Sequence, residues 1–255
     1  MVRCQQSWRG ALAACAAAAV VIAALYIYVL PAAARAAAQA LPLALERRLG
    51  DGVLELLDRK AFSPSRLPLA RQRQLTAAFG ALTPPAAGPA AGPAPSYRIL
   101  FRKSEIGPNA FALPSGDIVV TDEIVALVGD DAALRGVLAH ELGHLHQRHL
   151  TQRLLQASAV GALAAVFFGD VSTLIGGVPA LLADAKYSRD AEREADDYAL
   201  AMFEHNGVPA AQLEQVFRRL GTLGEGPMPY LSTHPVTAER LARVRGAGAP
   251  GAAGK

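Results

Sequence analysis

The chain has 255 residues, enough for one substantial domain with appendages, and its formal charge of +3 comes without any long Lys/Arg run, so nucleic acid is excluded as an expected partner. A hydrophobic fraction of 52% and a mean hydropathy of +0.23 are high for a soluble protein, and the excess sits in concentrated apolar runs that point to membrane contact. Both cysteines, Cys4 and Cys15, fall near the N-terminus, so the body of the chain has neither a disulfide nor a thiolate ligand.

Arg3 and Arg9 precede Ala11–Leu30, a run of 20 residues without a charge that ends at Pro31. As a helix it would span about 30 Å, one bilayer core, whereas a signal-peptide core is about 7–15 residues. Residues 1–40 therefore read as an N-terminal membrane anchor with its basic end in the cytoplasm and the rest of the chain on the other side. The Ala/Arg/Gly/Pro bias hints at a bacterium, which makes the expected location single-pass in the inner membrane with the bulk in the periplasm. Two alternatives stay open. Ala38-Gln39-Ala40 fits a small-x-small cleavage site, and Leu12–Cys15 resembles a lipoprotein box, although few apolar residues precede Cys15.

Residues 41–82 mix apolar and charged positions and read as a small helical or mixed subregion. The stretch 83–96 (TPPAAGPAAGPAPS) is a Pro/Ala/Gly linker, and a domain boundary is expected there. From residue 97 the pattern tightens. Tyr97–Phe101 and Ile118–Thr121 read as strands, and Asn109–Leu113 reads as a third extended segment. Asp122–Leu155 is expected to be mostly helical, with a break near Gly129-Asp130-Asp131. Residues 157–183 hold one charge, Asp170, among several glycines, which favours an apolar hairpin or plug over a second span. Residues 246–255 read as a disordered tail.

Residues 137–150 are VLAHELGHLHQRHL, in which His140, Glu141 and His144 form H-E-x-x-H. Four residues advance a helix by about 400°, so the two imidazoles share a face and can grip one Zn²⁺. Glu141, turned about 100°, lies beside the metal as a general base. If the helix continues, His149 falls about 180° from His140 and His146 about 120° away, so both are expected to face away as structural or outer histidines. Downstream, in YSRDAEREADDYAL, Glu192 and Asp196 are four apart and share a face, while Glu194 points roughly opposite. Glu192 is then the third ligand, and Asp196 can hydrogen-bond a ligating imidazole.

Taken together these motifs resemble the HtpX/BepA-like and CAAX prenyl-protease family of zinc metallopeptidases, a gluzincin group, over about residues 97–245. The motifs are Asn109–Pro114 with Gly116, His140–His144, Ser188-Arg189 with Glu192 and Ala195-Asp196, and Ser232–Pro235 with Arg240. Ser115 departs from a frequent glycine without touching a ligand. The resemblance implies an α+β, mostly helical fold: a zincin-like metalloprotease domain with a small sheet beside the active-site helix, joined here to one N-terminal transmembrane helix. It also implies one Zn²⁺ per chain, Glu192 rather than Glu194 as ligand, and Asn109, Ala110, Phe111 and Ala112 as a substrate-binding strand. His149 matches a histidine common in the family. His234 corresponds to one that can mask the metal or assist the transition state, and Arg240 is a second candidate to stabilise the oxyanion. The expected function is zinc-dependent hydrolysis of polypeptide substrates, misfolded or misassembled envelope proteins above all, at a membrane. A largely non-proteolytic chaperone or assembly factor on the same fold is the alternative. A CAAX-type enzyme needs many membrane helices, and this chain offers one clear span.

Overall fold

A computed structural model describes residues 8–85, 95–168, 188–222, 230 and 233–247. Cys4, most of the 83–96 linker, residues 169–187 with the end of the apolar stretch, Ser232 and residues 248–255 lie outside the described residues. The fold is mostly helical with one small mixed sheet.

The N-terminal apolar run lies in a helix from Trp8 to Ala40, which comprises α1 (Trp8–Ala24), a π-type turn at Leu25–Val29 and α2 (Leu30–Ala40). The widened turn falls just before Pro31, whose ring would clash with the preceding turn of a regular α-helix. It is the one helix among the described residues long and apolar enough to cross a membrane, and no residue of α1 is buried. At 33 residues it is about 50 Å long, longer than a bilayer core is thick.

Helix α3 (Leu43–Lys60) leads into β1 (Phe62–Pro64), and α4 (Leu69–Gly80) follows. The remaining strands are β2 (Arg98–Ser104), β3 (Ala110–Ala112) and β4 (Asp117–Thr121), in the spatial order β1-β2-β4-β3. Only the β2–β4 pairing is parallel. The segment 41–82 thus supplies a strand to the sheet. It also supplies Leu75, Phe79 and Leu82 to the same apolar cluster as Phe101, Val120 and Leu142.

Strand β4 is buried along its whole length and ends at Thr121, whose hydroxyl accepts the Ile124 amide and so starts α5 (Asp122–Val128). Gly129, at φ +60°, stops that helix in the left-handed conformation that glycine adopts without strain. Asp130 then caps α6 (Asp131–His146) by accepting the Ala132 amide. Helix α6 is buried on nearly every side, as expected of a central core helix.

The helical segment breaks a second time, which periodicity did not anticipate. Arg148 takes φ +55°, and α7 (His149–Phe168) departs in a new direction. Three helices complete the described chain: α8 (Arg189–His205), capped by Ser188, then α9 (Ala211–Thr222) and α10 (Ala238–Ala247).

Helices α6 and α8 cross where Gly143 faces Ala195. A Cβ at residue 143 would lie 2.8 Å from both the Cα and the carbonyl oxygen of Ala195, closer than real Cβ atoms come. Gly143→Ala therefore forces the helices apart and is expected to cost about 1–3 kcal/mol in denaturant unfolding. Gly52→Ala, on an exposed face of α3 with nothing within 4 Å, is expected to stabilise by about 0.5–1 kcal/mol. Equal effects of the two substitutions would show that the α6–α8 crossing is not tightly packed.

Candidate metal centre

Helix α6 presents His140 and His144 one turn apart, with their Nε2 atoms 3.0 Å from each other. The close crossing at Gly143 brings α8 against this face and delivers Glu192. Its Oε2 lies 3.4 Å from His140 Nε2, and its Oε1 lies 3.4 Å from His144 Nε2. The turn before α10 adds His234, with Nδ1 3.0 Å from Glu192 Oε1 and 3.3 Å from His140 Nε2. All four side chains are buried, and one donor atom from each falls within a 4.8 Å group.

These separations fit a metal ion. Ligand arms of about 2.0–2.2 Å in a tetrahedron place neighbouring donors about 3.3–3.6 Å apart, within a few tenths of an ångström of the values here. Charge balance points the same way. Glu141, Glu192 and Asp196 are buried carboxylates with one buried guanidinium, Arg240, among them. A divalent cation makes that set neutral, and buried charge without compensation is costly. Two imidazoles and a carboxylate, with histidine as a further donor, are ligands that suit zinc.

The outer contacts orient these donors. Asp196 Oδ1 lies 2.9 Å from His140 Nδ1. Arg240 donates from Nε and Nη2 to both Asp196 oxygens at 2.7 Å, and its Nη1 reaches the Pro235 carbonyl at 2.9 Å and Glu192 Oε2 at 2.6 Å. Its N–H groups are thus directed at carboxylates and a carbonyl, a geometry in which Arg240 braces Glu192 and Asp196.

The direction expected of His149 differs from the one observed. It was expected to face away because a continuous helix was assumed. The break at Arg148 turns it back, and His149 Nδ1 lies 2.9 Å from His144 Nδ1, with Nε2 3.0 Å from Glu194 Oε2. His146 instead stands with its ring 4.9 Å from that of Tyr198.

Glu141 sits beside the cluster, buried, and neither of its oxygens accepts a hydrogen bond of ordinary geometry. His234 Nε2 is 3.5 Å from Glu141 Oε1. Burial pushes the Glu141 carboxyl up, against the pull of His234 and His140. Burial opposes ionisation of Glu192 too, but His234, His140 and His144 hold its carboxyl well below the usual range. The two histidines on α6 diverge. Burial depresses both, but Asp196 and Glu192 lift His140 to about 9, while His144 stays well below its ordinary value.

The edge strand β3 runs beside α6. Backbone bonds from Leu113 N–H to Asp117 O and from Thr121 N–H to Asn109 O face β4, so by alternation the polar groups of Ala110 and Ala112 face outward. The Ala112 amide turns toward Glu141 and draws its pKa down. Asn109 is buried, and its amide donates to Thr121 Oγ1 at 2.8 Å. Phe111 packs on the other side, with its ring centroid 6.0 Å from that of Phe62.

Sequence reasoning missed Tyr230, which is buried with its ring stacked 4.8 Å from His234, and whose backbone carbonyl accepts the His234 amide. It lies four residues before His234, a helical spacing that could have marked it. Glu194, set aside as opposite Glu192, and Arg35 in α2 were also missed as neighbours of His149.

The model for peptidase family M48 matches residues 70–247, a span that runs from α4 to α10 and holds every residue of the cluster. The chain is similar to metalloprotease LoiP of Escherichia coli (strain K12), 30% identical over 158 residues that cover 59% of this chain and 61% of that protein. It is similar to mitochondrial metalloendopeptidase OMA1 of Arabidopsis thaliana, 33% identical over 129 residues, 50% of this chain and 27% of that one. A third relative is the beta-barrel assembly-enhancing protease of Escherichia coli (strain K12), 27% identical over 167 residues, 59% of this chain and 34% of that one. The chain matches no more than about three fifths of the length of these relatives. With a buried His-His-Glu-His cluster inside a matched span that covers more than half of its length, this chain belongs to peptidase family M48.

Proposed function

We propose that the chain is a membrane-tethered zinc metalloendopeptidase that hydrolyses peptide bonds, with polypeptides of the bacterial envelope that are misfolded or misassembled as substrates. The observation that carries this reading is the convergence of His140, His144 and Glu192 beside a buried carboxylate, Glu141, that makes no regular hydrogen bond. The apolar N-terminal helix supports the tether, and its basic N-terminal flank supports a periplasmic catalytic domain. The printed name of one relative, beta-barrel assembly-enhancing protease, supports an envelope substrate.

His140, His144 and Glu192 would hold one zinc ion, and Asp196 and Arg240 would hold the ligands in place. Bound zinc supplies the positive charge that acidifies a water and polarises the scissile carbonyl. Glu141 takes the proton of the attacking water and passes it to the departing amine, a role its raised proton affinity suits. An extended substrate would add to the outer edge of β3 through Ala110 and Ala112, between Asn109 and Leu113. Main-chain pairing of that kind reads side chains weakly and favours unfolded segments.

A second reading is a latent, largely non-proteolytic resting form, and the position of His234 favours it. Its Nδ1 stands among the ligands while its Nε2 faces Glu141, so the ring occupies the space where water and base must meet.

In full-length protein purified in detergent, Glu141→Gln is expected to slow degradation of an unfolded polypeptide by about 10²–10⁴-fold while zinc stays at one per chain. Equal turnover by both proteins would remove the proposed base. His234→Ala is expected to retain zinc and raise basal degradation several-fold. Slower degradation would instead assign His234 to the reaction itself.

A further inference from the structure

A second line of contacts leaves the metal centre through His144 and runs to the anchor helix. If His144 gives Nε2 to a metal, its proton is on Nδ1, which then donates to His149 Nδ1 at 2.9 Å. His149 must in turn carry its proton on Nε2, which donates to Glu194 Oε2 at 3.0 Å. Glu194 ends the line by accepting both contacts of one Arg35 nitrogen, Nη2, at 2.5 and 2.6 Å. One proton arrangement satisfies every step of this series.

Arg35 is the first charged residue after the apolar run, about 7.5 Å along the helix from Leu30. The helix that carries it is seated on the domain. Ala34 and Ala38, one turn apart, are buried, and α2 packs along α7. Arg148, held in its left-handed turn, donates to the carbonyls of Ala38 and Leu41 at the end of α2.

We propose that Arg35 is a positioning residue of the metal centre: through Glu194 and His149 it fixes the tautomer and ring orientation of His144, so the anchor helix forms part of the metal site's support. The proposal rests on the reading of His144 as a ligand. Partners of this kind, one step removed from a ligand, typically change metal affinity by about 10–100-fold. Arg35 stands two steps further out, so the lower end of that range applies.

The test uses the full-length protein in detergent, loaded with zinc for one measurement and with cobalt for another. Arg35→Ala and Glu194→Gln are each expected to speed zinc release to a chromogenic chelator about 10-fold and to shift the visible cobalt spectrum. Arg35→Lys is expected to restore both readouts, because a single nitrogen makes both contacts and an ammonium can replace it. Arg59→Ala, in an exposed pair with Glu55 on α3, serves as a control and is expected to change neither. A melting temperature lowered in Arg35→Ala with zinc release and cobalt spectrum unchanged would overturn the proposal and leave the metal site standing. Failure of the unaltered protein to bind zinc or cobalt would overturn the metal reading and this proposal together.

Discussion

Helices α6 and α8 can approach closely because residue 143 has no side chain. That contact places a carboxylate from one helix against two imidazoles of the other, and much of the site follows from it. With the backbones so close, Glu192 needs no extended loop to reach His140 and His144, and Asp196 arrives one turn later at His140 Nδ1. Three carboxylates gathered in a space closed to water would repel one another strongly. Arg240 offsets one charge, and a divalent ion would offset the other two.

Much of this was legible in the primary structure because it depends on short helical spacings. His140 and His144, and Glu192 and Asp196, are each four apart, and that distance alone puts each pair on one face. The strands β2 and β4 were visible as apolar runs, and β3 as an extended segment between turn residues. The sheet's fourth strand was not. Phe62–Pro64 is too short to show alternation, and its place beside β2 depends on partners 40 residues away.

The contacts that the sequence did not reveal share one physical cause. His149 was assigned a direction by extending α6 past its end, whereas Arg148 breaks the helix without a glycine or proline to announce it. Arg240 entered as an oxyanion candidate through the family resemblance, and its contacts with Asp196 and the Pro235 carbonyl are ones no local pattern announces. Arg35 lies 159 positions from Glu194, and no local pattern links them. In each case the deciding contact is tertiary, and sequence spacing carries no information about it.

The N-terminal apolar helix is structurally continuous with the domain rather than strung from it. Its last turns bury two alanines, pair through Arg35 and are held at their carbonyl end by Arg148, while exposed Val160 and Leu163 lie along the neighbouring helix α7.

The central claim is that His140, His144 and Glu192 hold one ion, and X-ray absorption at the zinc edge on the purified full-length protein tests it most directly. The account predicts one zinc per chain with nitrogen and oxygen neighbours at about 2.0–2.2 Å and the outer-shell scattering of histidine rings. Sulfur neighbours near 2.3 Å, or zinc without histidine scattering, would contradict it.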